Sequence, residues 1–184
     1  MKNAFHYSEA SEASGTGFGA ACFDLDGVLT DTDRPIHGMT PEEIAALPLN
    51  AAVVAKMEQA KAMGIPVVMV TRNDRYWIDQ FLAAHSEIAH LFTDTLPCPT
   101  GNKSDAIKVW IEAHEIPEEQ VFFVDDTLYE RNDVERNVEG SQVVDPGEIH
   151  SLTLRRAKRT RSRTRRLLNR SGQALESNEV LLAA

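Results

Sequence analysis

Short apolar runs alternate along the chain with longer stretches whose apolar residues recur at helical spacing, and this alternation predicts strands separated by helices. Gly19–Asp26 reads as the first strand, an apolar run that ends in two aspartates one residue apart, Asp24 and Asp26. Ala51–Met63 predicts a helix closed by Gly64, because glycine adopts the left-handed C-terminal position without a Cβ penalty. "IPVVMV", residues 65–70, is a β-branched run of the buried-strand type. Asp74 is placed to cap a helix that runs to about His85. "HLFTD", 90–94, gives a weaker strand signal, and Ser104–His114 an amphipathic helix. "QVFFVDD", 120–126, is the clearest strand; Tyr129–Asn137 follows as a helix and "SQVVD", 141–145, as a last short strand.

Strands alternating with helices imply βαβ units. The expected fold is therefore α/β: a Rossmann-like three-layer sandwich around a mainly parallel sheet. In such sheets ligands sit beyond the carboxyl ends of the strands. Those ends carry Asp24 and Asp26, Thr71, and the pair Asp125–Asp126, while Lys103 stands at the start of a helix. Residues i and i+2 of a strand face one side, so Asp24 and Asp26 are expected to share a cavity. Paired acids also cap the turns that follow strands, and that plainer role competes with any chemical one.

Four converging carboxylates need a counter-charge. An all-oxygen ligand set suits a hard divalent cation, and Mg²⁺ before zinc. A carboxylate also serves as a nucleophile toward a phosphate ester, with a second acid protonating the leaving oxygen and then activating water. A hydroxyl and an ammonium, the types supplied by Thr71 and Lys103, would hold the phosphoryl oxygens.

The motifs resemble those of the haloacid dehalogenase (HAD) superfamily of phosphohydrolases. "FDLDGVLTD" is similar to its first motif, "VVMVTRND" to the second, "GNKSDAI" to the third and "VFFVDD" to the fourth; together they run from about residue 20 to 145. The resemblance implies that Asp24 attacks phosphorus and that Asp26 is the acid/base and lends its backbone carbonyl to Mg²⁺. It implies that Thr71, Arg72 and Lys103 bind the phosphoryl group, and that Asp24, Asp26, Asp125 and Asp126 form the metal site. The division of labour between Asp125 and Asp126 stays open. Forty-three residues separate Gly27 from Thr71 and 31 separate Thr71 from Lys103, too few for an inserted lid beyond the elements already placed there. The chain thus resembles the capless members, with no sizeable cap domain. Looser likenesses run to the phosphatase part of phage-type polynucleotide kinase-phosphatases and to HAD-like proteins that load glyceryl units onto carrier proteins. A small-metabolite phosphatase and a non-catalytic HAD scaffold complete the alternatives.

Charge divides the chain. Residues 1–154 hold 26 acidic and 10 basic side chains, whereas 155–184 hold two acidic and nine basic ones. The expected organisation is a loose leader over 1–17, a catalytic domain over 18–150 and a basic extension over 151–184. The arginines from Arg155 to Arg170 predict attraction for phosphate backbones, so a nucleic-acid end or nucleotide is the first expectation for the phosphorylated substrate. A solvated helix, an extended tail, and docking on the acidic body, an anionic membrane surface or a carrier protein are the competing roles.

Other signals carry less. No apolar run approaches the roughly 18 residues that span a bilayer, and no apolar core follows Lys2, so a cytoplasmic location is expected. Cys22 and Cys98 are expected to be free thiols. "SGTGFGA", 14–20, precedes a strand instead of following one and so fails as a dinucleotide fingerprint. "TGNKS" lacks the earlier glycine of a Walker A loop. Trp77 and Trp110 fall in helical segments and are expected to pack at the core.

Overall fold

A computed structural model describes residues 17–32 and 34–157. Nearly all of the 1–17 leader, and the basic extension from Lys158 onward, lie outside the described residues.

Five strands, β1 (Ala20–Phe23), β2 (Val67–Thr71), β3 (Asp94–Pro97), β4 (Val121–Val124) and β5 (Gln142–Val144), form one sheet in the order β3-β2-β1-β4-β5. Every pairing is parallel. The helices are α1 (Pro41–Ala45), α2 (Ala51–Ala62), α3 (Arg75–Ala84), α4 (Ser86–Ala89), α5 (Lys103–Ala113) and α6 (Leu128–Asn137). The three central strands are buried throughout, which explains their unbroken apolar sequence. Their side chains alternate between two layers. Ala21, Phe23, Val67 and Met69 pack with Met57 of α2 and Phe81 of α3. Ala20, Cys22, Val68 and Phe123 pack with Ile107 and Ile111 of α5 and Val134 of α6. The three-layer α/β expectation holds.

Three local readings need correction. The first strand ends at Phe23, not Asp26: Leu25 O accepts from both Leu29 N and Thr30 N, so the chain turns at once. The third strand is Asp94–Pro97, not 90–94. Leu91 is core filling from the turn after α4, whereas β3 is a partly exposed edge with little apolar signature. The third correction is α1, a helix in a stretch where the sequence reading places no element. Thr40 and Glu43 form a reciprocal capping box around Pro41, a signal present in the sequence, and Ile44 seats the helix in the core.

The packed chain runs past residue 150. Leu152 and Leu154 are buried in the first layer, Lys56 Nζ donates to Leu152 O at 2.6 Å, and Arg156 pairs with Phe18. Apolar residues alternate with polar ones there, and alternation decides burial where a count of charges does not. Among the described residues no cap domain interrupts the sheet connections, and no helix is long and apolar enough to cross a membrane.

Candidate active site

The site begins with strand register. Phe23 of β1 pairs with Val124 of β4, so Asp24 and Asp125 leave adjacent strands side by side. Asp24 N continues the ladder by donating to Val124 O at 2.9 Å. Helix α5 starts above these strand ends and sends Lys103 between the two acids. The Nζ donates to Asp125 Oδ2 at 2.7 Å and stands 2.9 Å from Asp24 Oδ1, while the lysine is only 1% exposed. Asp24 Oδ1 thus has the Lys103 ammonium as its cationic neighbour.

One ammonium faces two carboxylates, and burial together with their mutual charges shifts all three groups. Burial pushes the Asp24 carboxyl up to about 7; Lys103 opposes the rise and Asp125 adds to it. Burial also raises Asp125 against the pull of Lys103. Burial pushes Lys103 down, but Asp24 and Asp125 outweigh it and leave the ammonium above its ordinary range.

Asp24, Asp125 and Asp126 each offer a carboxylate oxygen, and these oxygens lie within 4.8 Å of one another. A hard divalent cation fits this donor set, which is all oxygen. Asp126 is exposed, and Thr127 Oγ1 donates to its Oδ1 at 3.2 Å. Asp125 also takes the plainer role foreseen for it: Oδ1 accepts from Thr127 N at 2.9 Å and caps the turn into α6. Capping and charge clustering thus use different oxygens of one side chain.

Asp26 goes elsewhere. Because the chain has already turned, its Oδ1 accepts from Ile36 N at 2.9 Å and its Oδ2 from Asn73 Nδ2 at 2.8 Å. Burial raises this carboxyl above its ordinary value, and the Asn73 and Ile36 hydrogen bonds oppose the rise. The Asp26 side chain is therefore not among the three carboxylates whose oxygens cluster, yet Lys103 and Asp126 stand near enough to act on its charge. Thr71 is buried at the end of β2, and its Oγ1 accepts from Asn73 Nδ2 at 3.0 Å. Arg72 places Nε and Nη2 at 2.8 and 2.6 Å from Glu130 Oε1, and Nη1 donates to Gly101 O. Glu130 Oε2 is buried without a partner.

Sequence reasoning passed over Asn73, which links Thr71 to Asp26. Its signal was position: two residues beyond a strand-end threonine, in "TRND". It also passed over Arg131, whose guanidinium holds the loop that carries Asp125 and Asp126. In the sequence, Glu130 and Arg131 carry a signal only as the pair that follows the two aspartates, through the likeness to the glyceryl-loading proteins.

No protein-family model and no curated protein matches the chain. Solved structures do. The N-terminal part of the Bacteroides fragilis protein BF1531, containing a phosphatase domain complexed with Mg, is 21% identical over 74% of this chain, at a TM-score of 0.57. The chain spans 39% of that structure's length. A predicted phosphoglycolate phosphatase from Haemophilus somnus is 16% identical, covering 72% of this chain and 86% of its own, with a TM-score of 0.58. A HAD family hydrolase from Deinococcus radiodurans, with bound phosphate and sodium, is 11% identical over 71% of this chain and 81% of its own, with a TM-score of 0.56. The fold is that of the HAD-superfamily hydrolases. That fold is the one the motif resemblance implies.

Proposed function

We propose that the protein is a Mg²⁺-dependent phosphomonoester hydrolase with Asp24 as its nucleophile. The observation that carries this reading is the buried pair of Asp24 and Asp125 around Lys103, with Asp126 completing a cluster of oxygens within 4.8 Å. Asp24, Asp125 and Asp126 would hold the cation, with the Asp26 carbonyl. Bound there, it would supply charge neutralisation for the carboxylates and for the phosphoryl oxygens.

An Asp24 oxygen would bond to phosphorus as the ester P–O bond breaks, and the leaving oxygen would take a proton from Asp26. Asp26, now ionised, would accept a proton from water, whose oxygen would bond to phosphorus and release inorganic phosphate and Asp24. The raised Asp26 carboxyl suits the first half of this cycle, and its bonds to Asn73 and Ile36 suit the second, because both donors stabilise the carboxylate. Lys103 would attract the phosphoryl oxygens and Thr71 would offer a hydroxyl. Arg72, held by Glu130, would lie at the edge of the group rather than beneath it.

The uninserted strand connections and the arginine-rich segment from Arg155 to Arg170 support a nucleic-acid end or nucleotide as the phosphorylated group. The two cysteines are free and buried, in keeping with the cytoplasmic reading. The decisive experiment is hydrolysis of an aryl phosphate by the full chain, with and without Mg²⁺. It is followed by a panel of 3′-phosphate oligonucleotides, nucleotides and sugar phosphates. Turnover that needs Mg²⁺ and disappears in Asp24→Asn is expected. Turnover that survives Asp24→Asn would remove the nucleophile, and no turnover on any phosphate would leave the scaffold reading.

A further inference from the structure

Arg131 lies in the first turn of α6 and is mostly buried, its side chain 18% exposed. Its Nη1 donates to Asp125 O at 2.6 Å and to Asp126 O at 2.8 Å. A guanidinium nitrogen of this kind has two N–H groups, and both are used on these carbonyls. Asp145, the residue after β5, stands 3.0 Å from the same nitrogen and supplies the counter-charge. Asp145 is itself held, since its Oδ1 accepts from Gly147 N at 2.9 Å.

The two carbonyls belong to the peptide units on either side of Asp126. Fixing both planes fixes the backbone angles of Asp126 and hence the direction of its Cα–Cβ bond. Asp126 needs such help, for it is exposed and no lysine or arginine pairs with it among the described residues. Asp125, in contrast, is located by Lys103 and by the cap on Thr127. Because Asp145 balances the charge of Arg131, the guanidinium adds little net positive field to the cluster. Its contribution is orientation.

We infer that Arg131 is a positioning residue that aims the Asp126 carboxylate into the cation site by clamping the carbonyls of Asp125 and Asp126. This inference rests on the reading of Asp24, Asp125 and Asp126 as a divalent-cation site. Residues that orient metal ligands through hydrogen bonds typically govern 10–100-fold of metal affinity, so an effect of about that size is expected.

The test is Mn²⁺ binding to the full-length protein, followed by loss of the free-ion electron paramagnetic resonance signal, with thermal unfolding of the cation-free proteins in parallel. Arg131→Met should weaken binding by about 10–100-fold in protein that is folded. Arg131→Lys, which keeps the charge but replaces the fixed, planar N–H pair of Nη1 with a freely rotating ammonium on a shorter stem, should fall between the parent and Arg131→Met. A purely structural arginine would lower the melting temperature and leave the Mn²⁺ Kd unchanged; Kd values within twofold of the parent for both variants would overturn the proposal. Should Arg131→Met fail to fold, Arg131→Lys decides alone: a raised Kd supports the clamp and an unchanged one removes it. Absence of any Mn²⁺ site in the parent protein would overturn the cation reading and the clamp together, and that titration alone tells this case from the others.

Discussion

Gly27 and Asp126 are in such close approach that no side chain fits between them. A Cβ built on Gly27 would stand 2.6 Å from Asp126 Cγ and closer still to Oδ2. Gly27 also has φ +70°, in the left-handed region that favours glycine. Gly27→Ala should therefore cost about 1–2 kcal/mol in backbone strain alone. It should also displace Asp126 and weaken divalent-cation binding. Urea unfolding and a Mn²⁺ titration measure the two effects separately.

Lys103 is the only lysine or arginine paired with the buried acids Asp24 and Asp125 among the described residues. Removing one partner of a buried ion pair leaves uncompensated charge, at a typical cost of about 3–5 kcal/mol. Lys103→Met is expected to lose stability of that order at pH 8. Asp24→Asn should behave in the opposite way, since it leaves a balanced Lys103–Asp125 pair. Equal denaturation midpoints for Lys103→Met and the parent would contradict this account of the core of the site.

Asn73 supplies a donor to Asp26 and to Thr71 with one amide. Asn73→Ala would leave Asp26 Oδ2 without that donor and so raise its carboxyl further. If Asp26 is the acid/base, the acidic limb of the kcat profile should move to higher pH. An unmoved profile with lowered stability would reduce Asn73 to a structural role.

Cys22 gives a pH prediction away from the site. Burial in the sheet pushes its thiol up to about 12 from an ordinary 9.0. Between those values the unfolded chain releases a proton that the folded chain keeps, so stability present below pH 9 falls as pH rises toward 12. The slope from this one group is about 1.4 kcal/mol per pH unit. Cys22→Ser should flatten that alkaline decline, and iodoacetamide should reach Cys22 only on unfolding.

Much of this was legible in the sequence because buried parallel strands have an unambiguous signature. β1 and β4 are apolar throughout and β2 is so up to its last residue, Thr71, and the polar residues at the strand ends mark where the chain leaves the core. β3 was misplaced for the complementary reason: an edge strand buries little, so "DTLP" looks like a loop while the neighbouring Leu91 looks like a strand. α1 was overlooked although Thr40 and Glu43 announce it, because a five-residue helix has almost no periodicity to detect.

The sequence by itself determined which residues stand at the carboxyl ends of the central strands, and with Lys103 at a helix start it carried the expectation that Asp24, Asp26, Thr71, Lys103, Asp125 and Asp126 face one site. Periodicity and strand-end chemistry are local, and neighbouring residues suffice to fix them. Only the tertiary structure decided which oxygens meet. It gave Asp26 the donors Ile36 N and Asn73 Nδ2, set Arg72 against Glu130, and brought Arg131 against the carbonyls of Asp125 and Asp126. Such partnerships depend on turns and register between distant segments, where a single backbone dihedral redirects a carboxylate by several ångströms.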